Sequence, residues 1–347
     1  MRKIRQAIVG FAAVTGALIC LPGHAAPPAS LSPHAQPVPA AKQWEDAIVL
    51  SWFGERPTFS PDGKRVAFVD KQFGNAFEID IATRRIRNLT GNLPHQGIIR
   101  VQYLPNGDFL LTAPRMLLGP ETRFKGAGLW VLKSDLAHGL MPLDQLVMEG
   151  VAVSRRSNRI AFTELPGGNS TSEFYTADIA YQGGQARLVN RQRVIREKPC
   201  MGETQDFRNA DREITFTCYA RREAGRGEQA GVYGVDIASG KVTRYRDRDD
   251  EYNEVEGIAP DGSWTAVECT ARIDKGLAPN DICRLELTED GPYRLLFKGT
   301  QANSRRKANN PVISPDGKWM VLSSSNAALE EGEGNAGRGD GILLLRL

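Results

Sequence analysis

Apolar residues recur along this chain in short stretches of period two, and these stretches come in phase six times. Seven and nine positions after Phe59, for example, Val66 and Phe68 occupy one face of such a stretch. A repeat of two residues is the side-chain period of a β-strand. The corresponding pairs in the other five units are Leu110/Thr112, Ile160/Phe162, Ile214/Phe216, Thr265/Val267 and Met320/Leu322.

A five-residue turn motif stands between the first two strands of each unit. Its clear form is an apolar residue, any residue, Pro, Asp or Asn, and Gly. Proline presets φ, Asp or Asn bonds the backbone two residues on, and Gly accepts positive φ, so the motif predicts a tight turn. The clear copies are Phe59–Gly63, Tyr103–Gly107, Ile258–Gly262 and Ile313–Gly317, and the degenerate copies are Val153–Ser157 and Phe207–Asp211.

Further strands complete each unit. A third strand is predicted at Ala76–Ile81, Gly128–Leu132, Glu173–Ile179, Gly231–Ile237, Asp281–Leu287 and Gly341–Leu347. A fourth is predicted in five units, among them at Arg85–Leu89, Ala186–Val189, Lys241–Tyr245 and Tyr293–Phe297. Four antiparallel strands in about 40–50 residues form the blade of a β-propeller. The alternative, a solenoid of unrelated hairpins, would leave strand edges exposed.

The two ends of the repeat region complement each other. The sixth unit reaches Leu347 one strand short, and a strand pattern at Asp46–Trp52 has no unit of its own. We therefore expect the N-terminal strand to complete the last blade and close a single six-bladed ring over residues 44–347.

The Ser-Pro-Asp-Gly-Lys turn, the apolar strand after it and the Asp-Ile-Ala third strand resemble the TolB-like, WD40-like repeat called PD40. The resemblance covers about residues 44–347. It implies an all-β fold, a six-bladed propeller of four-stranded antiparallel blades, and says little about function. TolB itself carries an additional α/β domain before its propeller. About twenty leader residues take that place here, so we expect a role other than the full TolB role.

The start of the chain has the layout of a secretory signal peptide. Arg2, Lys3 and Arg5 precede the apolar run Ala7–Leu21, and small residues precede a cut after Ala25. A retained membrane anchor is the alternative, although the run is short for a span. Residues 26–43, rich in Pro and Ala, are expected to be a flexible leader. The expected location is periplasmic or secreted.

Removal of residues 1–25 changes the charge of the chain. The net charge is +3, and the removed segment carries three cations and no anions, so the remaining chain is neutral. A neutral domain lacks the basic excess on which nucleic-acid binding depends. We therefore expect no nucleic-acid partner, no membrane insertion after cleavage, and a monomer.

Four cysteines remain after the signal peptide: Cys200, Cys218, Cys269 and Cys283. An even number in an exported chain indicates disulfides. The spacings of Cys200/Cys218 and Cys269/Cys283 suit cross-strand bridges, although the sequence alone does not establish the connectivity. With no Cys-x-x-Cys pair and three histidines in this region, neither a metal site nor a cofactor is predicted.

The first strand of each unit is expected to line the central channel of the ring. Polar residues just ahead of the turn motifs are candidate ligand-binding residues: Arg100, Gln102, Glu203, Asp206, Glu254, Glu256 and Asn309. Carboxylates with one Arg and one Asn suit a cation or a polar small molecule. In the alternative, they line a water-filled channel and hydrogen-bond one another.

No hydrolase elbow, zinc-protease motif or phosphate loop is present, and no catalytic residue is predicted. The expected function is a non-catalytic protein-binding or scaffold module of the cell envelope, with an envelope protein as partner. Its expected contact segments are the connections 114–127, 219–230 and 270–280. The alternative is a carbohydrate or small-molecule lyase or hydrolase with a site at the channel mouth. Convergence of Arg100, Glu254, Glu256 and Asn309 in one pocket would favour that alternative.

Overall fold

A computed structural model describes residues 40–166, 171–198, 200–221, 228–249, 251–271, 281–300, 306–326 and 339–347. Residues Ala40–Leu347 form one compact unit. The predicted signal peptide and most of the predicted leader lie outside the described residues, so both stay predictions. In the part of the chain that the structure describes, no helix is long and apolar enough to cross a bilayer.

Strands dominate the described residues. Blade one contains β2 Glu55–Phe59, β3 Arg65–Val69, β4 Ala76–Asp80 and β5 Ile86–Asn88; blade two contains β6 Arg100–Tyr103, β7 Phe109–Pro114, β8 Ala127–Leu132 and β9 Met141–Val147. Blade three contains β10 Val151–Val153, β11 Arg159–Glu164, β12 Ser172–Gln182 and β13 Gln185–Lys198; blade four contains β14 Met201–Arg208, β15 Glu213–Arg221, β16 Glu228–Asp236 and β17 Val242–Arg246. Blade five contains β18 Glu251–Ile258, β19 Trp264–Ala271, β20 Asp281–Glu286 and β21 Tyr293–Phe297; blade six contains β22 Arg306–Ile313, β23 Trp319–Asn326, β24 Gly339–Arg346 and β1 Ile48–Ser51. A short helix, α1 (Thr122–Lys125), lies between β7 and β8, and a 3-10 turn, Trp44–Asp46, precedes β1.

Each blade is a four-stranded antiparallel sheet, which confirms the predicted fold. Blades four and five are linked by one parallel bridge between Ala230 and Tyr252. The first strands of blades contact one another around the ring, as in the pairs β2–β6, β14–β18 and β22–β2. These first strands are therefore the innermost ones and line the channel. With β9 as the fourth strand of blade two, a fourth strand is present in all five units for which it is predicted.

The ring closes as expected, by pairing of the first strand with the last. Strand β1 adds to β24 in antiparallel register, with Ile48 opposite Leu344 and Val49 opposite Leu343. The segment before β1 continues onto blade five. There the Lys42 N–H donates to Leu296 O at 2.9 Å.

Side-chain hydrogen bonds hold the turn motif in its conformation. In the first copy the Ser60 hydroxyl donates to Asp62 Oδ1 at 2.5 Å, and Asp62 Oδ1 accepts the Lys64 N–H at 3.1 Å. Ser60 Oγ in turn accepts the Arg65 N–H, which begins β3. Gly63 has φ of 70°, a value that glycine adopts without strain.

The core lies between neighbouring blades. The described residues contain six buried clusters, and each joins residues of two adjacent blades. Aromatic pairs span these contacts, as where Phe174 of blade three meets Phe216 of blade four edge-on at 4.7 Å between ring centroids. The twelve residues of the period-two pattern are all at most 1% exposed. The pattern in the sequence thus marks the packing between blades.

Both cysteine pairs form cross-strand disulfides. Cys200, just before β14, is bonded to Cys218 of β15, with the Cα atoms 5.7 Å apart. Cys269 of β19 is bonded to Cys283 of β20, with the Cα atoms 5.8 Å apart. Each closes a loop of 18 or 14 residues, a length for which loop entropy contributes about 3 kcal/mol.

The closing strand offers a test with an internal control. Leu50 is 6% exposed and packs into the cluster between blades six and one, whereas Ile48 on the same strand is 42% exposed. Leu50→Asp should lower the free energy of unfolding by more than about 3 kcal/mol, because it removes buried apolar area and buries a charge. Ile48→Asp should change it by less than about 1 kcal/mol. Equal losses in urea titrations would contradict closure through the Leu50 face.

Candidate functional site

In four blades the register between the innermost strand and the second strand is interrupted by a β-bulge close to the turn motif. In β14 and β18 the ladder skips one residue, Gln205 and Glu256 respectively. In β2 and β22 it skips two, beginning at Arg56 and Asn310. Such a β-bulge bends the strand and redirects the side chain. Arg56 and Asn310 have φ of 54° and 51°, values that cost free energy outside glycine.

The bulged residues meet in one cavity. Arg56, Gln205, Glu256 and Asn310 line a space of about 320 Å³ together with Arg100. The third-position prolines of the four clear turn motifs line it as well, namely Pro61, Pro105, Pro260 and Pro315. The space is therefore the mouth of the channel at the end where the turn motifs lie. We call it the turn-end cavity.

The Arg100 guanidinium crosses the channel to two other blades. Its Nη1 lies 3.3 Å from both Glu256 Oε2 and Gln205 Oε1, and its Nη2 lies 3.7 Å from Glu203 Oε1. Burial alone would lower the pKa of Arg100, but the carboxylates around it, Glu256 foremost, raise it. Arg100 therefore stays charged although it is only 8% exposed.

A second ion-pair group lies beside the first. Arg56 Nη1 lies 3.1 Å from Glu149 Oε2, and Arg123 Nε lies 3.8 Å from Glu149 Oε1. Burial would raise the pKa of Glu149, but Arg123 and Arg56 together lower it. Because Arg123 belongs to α1, this group ties the long connection of blade two to the channel.

One tyrosine hydroxyl joins two carboxyl groups, the buried Glu203 and the partly buried Glu254. Tyr219 Oη lies 2.9 Å from Glu203 Oε2 and 2.6 Å from Glu254 Oε1, and its single proton serves only one of them. Burial, followed by repulsion from Glu149, raises the pKa of Glu203 to about 8. A pKa raised this far favours the protonated form of Glu203, and a carboxyl proton would complete the second contact, since Tyr219 can donate to only one of the two groups. A Cβ at Gly150 would lie 2.1 Å from Glu203 Cγ, so this packing requires glycine.

Asn310 connects Glu256 to a further carboxyl group, that of Glu268. Its Nδ2 donates to Glu256 Oε1 and its backbone N–H donates to Glu268 Oε1, both at 2.8 Å. Oxygens of Glu254, Glu256 and Glu268 lie within 4.8 Å of one another. Carboxylate oxygens are the ligands that Ca²⁺ prefers, and among the described residues these three are the ones placed to hold a metal ion. The expectation of no metal and no cofactor stays a prediction.

The structure divides the seven residues proposed from the sequence into three groups. Arg100, Gln102, Asp206 and Glu256 line the turn-end cavity, Glu203 and Glu254 flank Tyr219, and Asn309 donates to Ser325 Oγ. Convergence is thus partial, since Arg100 and Glu256 meet in the cavity whereas Glu254 and Asn309 are not on its wall. A binding role for these seven residues stays a prediction.

Two of the cavity residues also have structural hydrogen bonds. Asp206 Oδ2 accepts from Arg155 Nη2 at 3.0 Å and from the Ile258 N–H at 3.3 Å, so it joins blades three, four and five. Gln102 Nε2 donates to Val151 O at 2.9 Å and joins blades two and three. These bonds hold neighbouring inner strands together beside the cavity.

Sequence reasoning missed Arg56, Gln205 and Asn310. A signal for two of them was present, since Arg56 and Asn310 each precede a proline within a strand, Pro57 and Pro311. Proline inside a strand marks an edge or a bulge. Gln205 has no such marker, because its bulge becomes visible only in the register against β15.

Apolar side chains are exposed at the opposite end of the ring, which we call the loop end. Leu118 is 81% exposed, Met116 64% and Leu117 41%, and all three lie in the predicted contact segment 114–127. Trp52, 80% exposed, lies in the β1–β2 connection. Both connections lie at the ends of inner and second strands that point away from the turn motifs. Of the other two predicted contact segments, 219–230 and 270–280, residues 222–227 and 272–280 lie outside the described residues.

Comparison with known proteins identifies the fold. No family model matches the chain, and no curated protein matches its sequence. Among solved structures it is similar to TolB from Acinetobacter baumannii, at 14% identity and a TM-score of 0.51, over 84% of this chain and 62% of that one. It is also similar to regucalcin, a calcium-binding protein from Agrobacterium tumefaciens, at 13% identity and a TM-score of 0.54, over 89% and 95%. At these identities the similarity shows a TolB-like propeller fold alone, and the chain spans less than two thirds of that TolB.

The expectation that this chain is not an enzyme requires correction. Hydrazine synthase from Kuenenia stuttgartiensis has the same fold, at 12% identity and a TM-score of 0.51, over 90% of this chain and 99% of that one. A propeller of this fold can therefore be part of an enzyme. Neither the fold nor the lack of familiar catalytic motifs in the sequence excludes catalysis.

The buried carboxyl group of Glu203 predicts a pH dependence of stability. Its pKa of about 8 in the folded chain lies above the ordinary 4.5. The folded state therefore holds a proton that the unfolded state releases, and the free energy of unfolding should fall as pH rises from 4.5 to 8. Glu203→Gln should flatten this fall by at most about 1.4 kcal/mol per pH unit.

Urea titrations between pH 4.5 and 8.5 measure this dependence. Glu164→Gln, which removes a surface ion pair with Arg191, is the matched control. The same slope in the Glu203→Gln and wild-type proteins would contradict the assignment of this proton.

Proposed function

We propose that this chain is an exported propeller that binds an envelope protein through its loop end. The observation that carries the proposal is that four exposed apolar side chains, Trp52, Met116, Leu117 and Leu118, lie in two connections at the loop end. Exposed apolar side chains grouped at one end of a soluble domain are typical of a protein-contact surface. Aromatic residues and Met are enriched at such surfaces.

Export is supported by the two disulfides and by the charge layout of the first 25 residues. Cross-strand disulfides of the kind at Cys200–Cys218 and Cys269–Cys283 persist in oxidising compartments and are rare in the cytosol. The proposed location is the periplasm or the exterior.

The anchoring of the loop end supports a contact role. Phe53, next to Trp52, packs edge-on against Phe68 and Phe77, so the exposed indole projects from a fixed base. On blade two, Arg123 of α1 reaches Glu149 at 3.8 Å and fixes the end of the Met116–Leu118 connection. A fixed surface loses less conformational entropy when a partner binds.

Export is tested by expressing the full chain in a bacterium and fractionating the cells. We expect the chain in the periplasmic or secreted fraction, shortened by 25 residues, with all four cysteines resistant to alkylation without reductant. Mass spectrometry measures both properties. Retention of residues 1–25, or four alkylated cysteines in the exported fraction, would contradict this part of the proposal.

Partner binding is tested with a photo-crosslinking amino acid at position 52 or 118 of the exported chain. Both positions should give the same protein adduct, because both lie at the loop end. Leu118→Ser should reduce the yield from position 52 at least fivefold, since it removes the most exposed apolar side chain. The matched control positions are Ile86 and Leu295, which are exposed apolar residues of the outer strands β5 and β21.

Two results would contradict the proposal. The first is the same adduct at equal yield from positions 86 and 295. The second is the absence of any protein adduct from positions 52 and 118 together with binding of the purified chain to vesicles of anionic lipid, lost in Leu118→Ser. That result would assign the apolar group to a membrane surface.

A further inference from the structure

We propose that the turn-end cavity is a binding site for a carboxylate group. The site combines three arginines on the cavity wall with buried donors that have no acceptor of their own. It lies at the end of the ring opposite to the proposed protein-contact surface, so it is independent of the proposed function.

The charges on the cavity wall favour an anion. Arg56, Arg100 and Arg155 line the cavity against two carboxylates, Asp206 and Glu256. Arg155 is paired with Asp206 at 3.0 Å and Arg100 with Glu256 at 3.3 Å. Arg56 pairs with Glu149 at 3.1 Å and lies 3.9 Å from Glu55, and neither carboxylate lines the cavity, so on the wall itself three arginines stand against two carboxylates.

Two buried donors need an acceptor. Arg100 is 8% and Gln205 4% exposed, and both line the cavity. Within the described ranges, Arg100 Nε and Gln205 Nε2 have no hydrogen-bond partner. A buried donor without an acceptor is costly, and buried polar groups of this kind point to a role in binding. Gln205 Oε1 accepts from Arg100 Nη1 at 3.3 Å. The side chains that carry the two donors are therefore hydrogen-bonded to each other and lie side by side.

The shape of the donor set fits a carboxylate. A guanidinium presents a planar fork that matches the two oxygens of a carboxylate, and an adjacent amide N–H can complete the contact. Of the three carboxylates that are placed to hold a metal ion, only Glu256 lines the cavity, where three guanidinium groups oppose a cation. The prolines, with Val101 and Val153, supply apolar walls for an aliphatic stem. The volume of about 320 Å³ admits a small carboxylic acid or one acidic side chain of an extended peptide.

The experiment is calorimetric titration of the full exported chain at pH 7 with two probes. Glutarate represents a free carboxylate, and the amidated peptide Gly-Ser-Glu-Ser-Gly represents an acidic side chain. Glutaramide and the Gln version of the peptide are the uncharged counterparts. We expect at least one acidic probe to bind, with its amide counterpart at least tenfold weaker. Binding of glutarate assigns the site to free acids, and binding of the peptide alone assigns it to acidic peptides.

Two variants test the assignment to Arg100 and Gln205. Gln205→Glu supplies a carboxylate next to Arg100 within the chain and should weaken binding of the acidic probe at least tenfold. Gln205→Leu removes the amide donor without adding charge and should weaken binding severalfold. Arg244→Gln is the matched control, because Arg244 forms a surface pair with Asp290 away from the cavity wall. Thermal unfolding of each variant verifies its fold.

Three outcomes would overturn the proposal. They are equal affinity for glutarate and glutaramide, binding unchanged in Gln205→Glu, and no binding of either acidic probe. Loss of the loop-end crosslink leaves all of these measurements untouched, so failure of one proposal is distinguishable from failure of the other.

Discussion

The structure depends on one constraint, the closure of the ring by pairing of β1 with β24. Each blade buries its faces only against its two neighbours, and every hydrophobic cluster spans two blades. Without β1, the cluster between blades six and one loses Leu50, and the last sheet keeps an open edge. Closure also assembles the site, because Arg100 of blade two meets Glu256 of blade five only across a closed channel.

The innermost strands have two structural roles that a regular strand cannot combine. Their side chains must pack between blades at period two, and polar side chains must also reach the channel mouth. β-Bulges make both possible. The unpaired residue of each bulge departs from the in-and-out alternation of side chains, and the residues after it resume that alternation. The bulges lie at Gln205 and Glu256, with wider ones at Arg56 and Asn310. The left-handed φ of Arg56 and Asn310 is the conformational cost of this arrangement.

The sequence predicts the repeating parts of this protein better than its site. Val66 and Phe68 could be placed because a period of two and a turn of fixed chemistry recur six times. Arg100 and Glu256 could be placed near the channel because they precede those turns. Arg56 has one local signal, the proline that follows it within a strand, whereas Gln205 has none, because its bulge depends on the register between two strands. The Tyr219 hydroxyl joins Glu203 to Glu254 of the neighbouring blade, and no motif or regular spacing in the sequence indicates this contact.

The pairing of β1 with β24 also orders the folding of the chain in time. The hairpins within a blade are local and form quickly, and both disulfides join residues that are close in the sequence, whereas Ile48 meets Leu344 only after every blade between them exists. The entropy lost on joining such distant segments makes ring closure a late and slow step. A chain threaded across a membrane from its first residue would hold β1 without a partner until its last strand emerged. In that interval chaperones could reach Leu50 and the face of blade one on which it packs, which includes Val66 and Phe68.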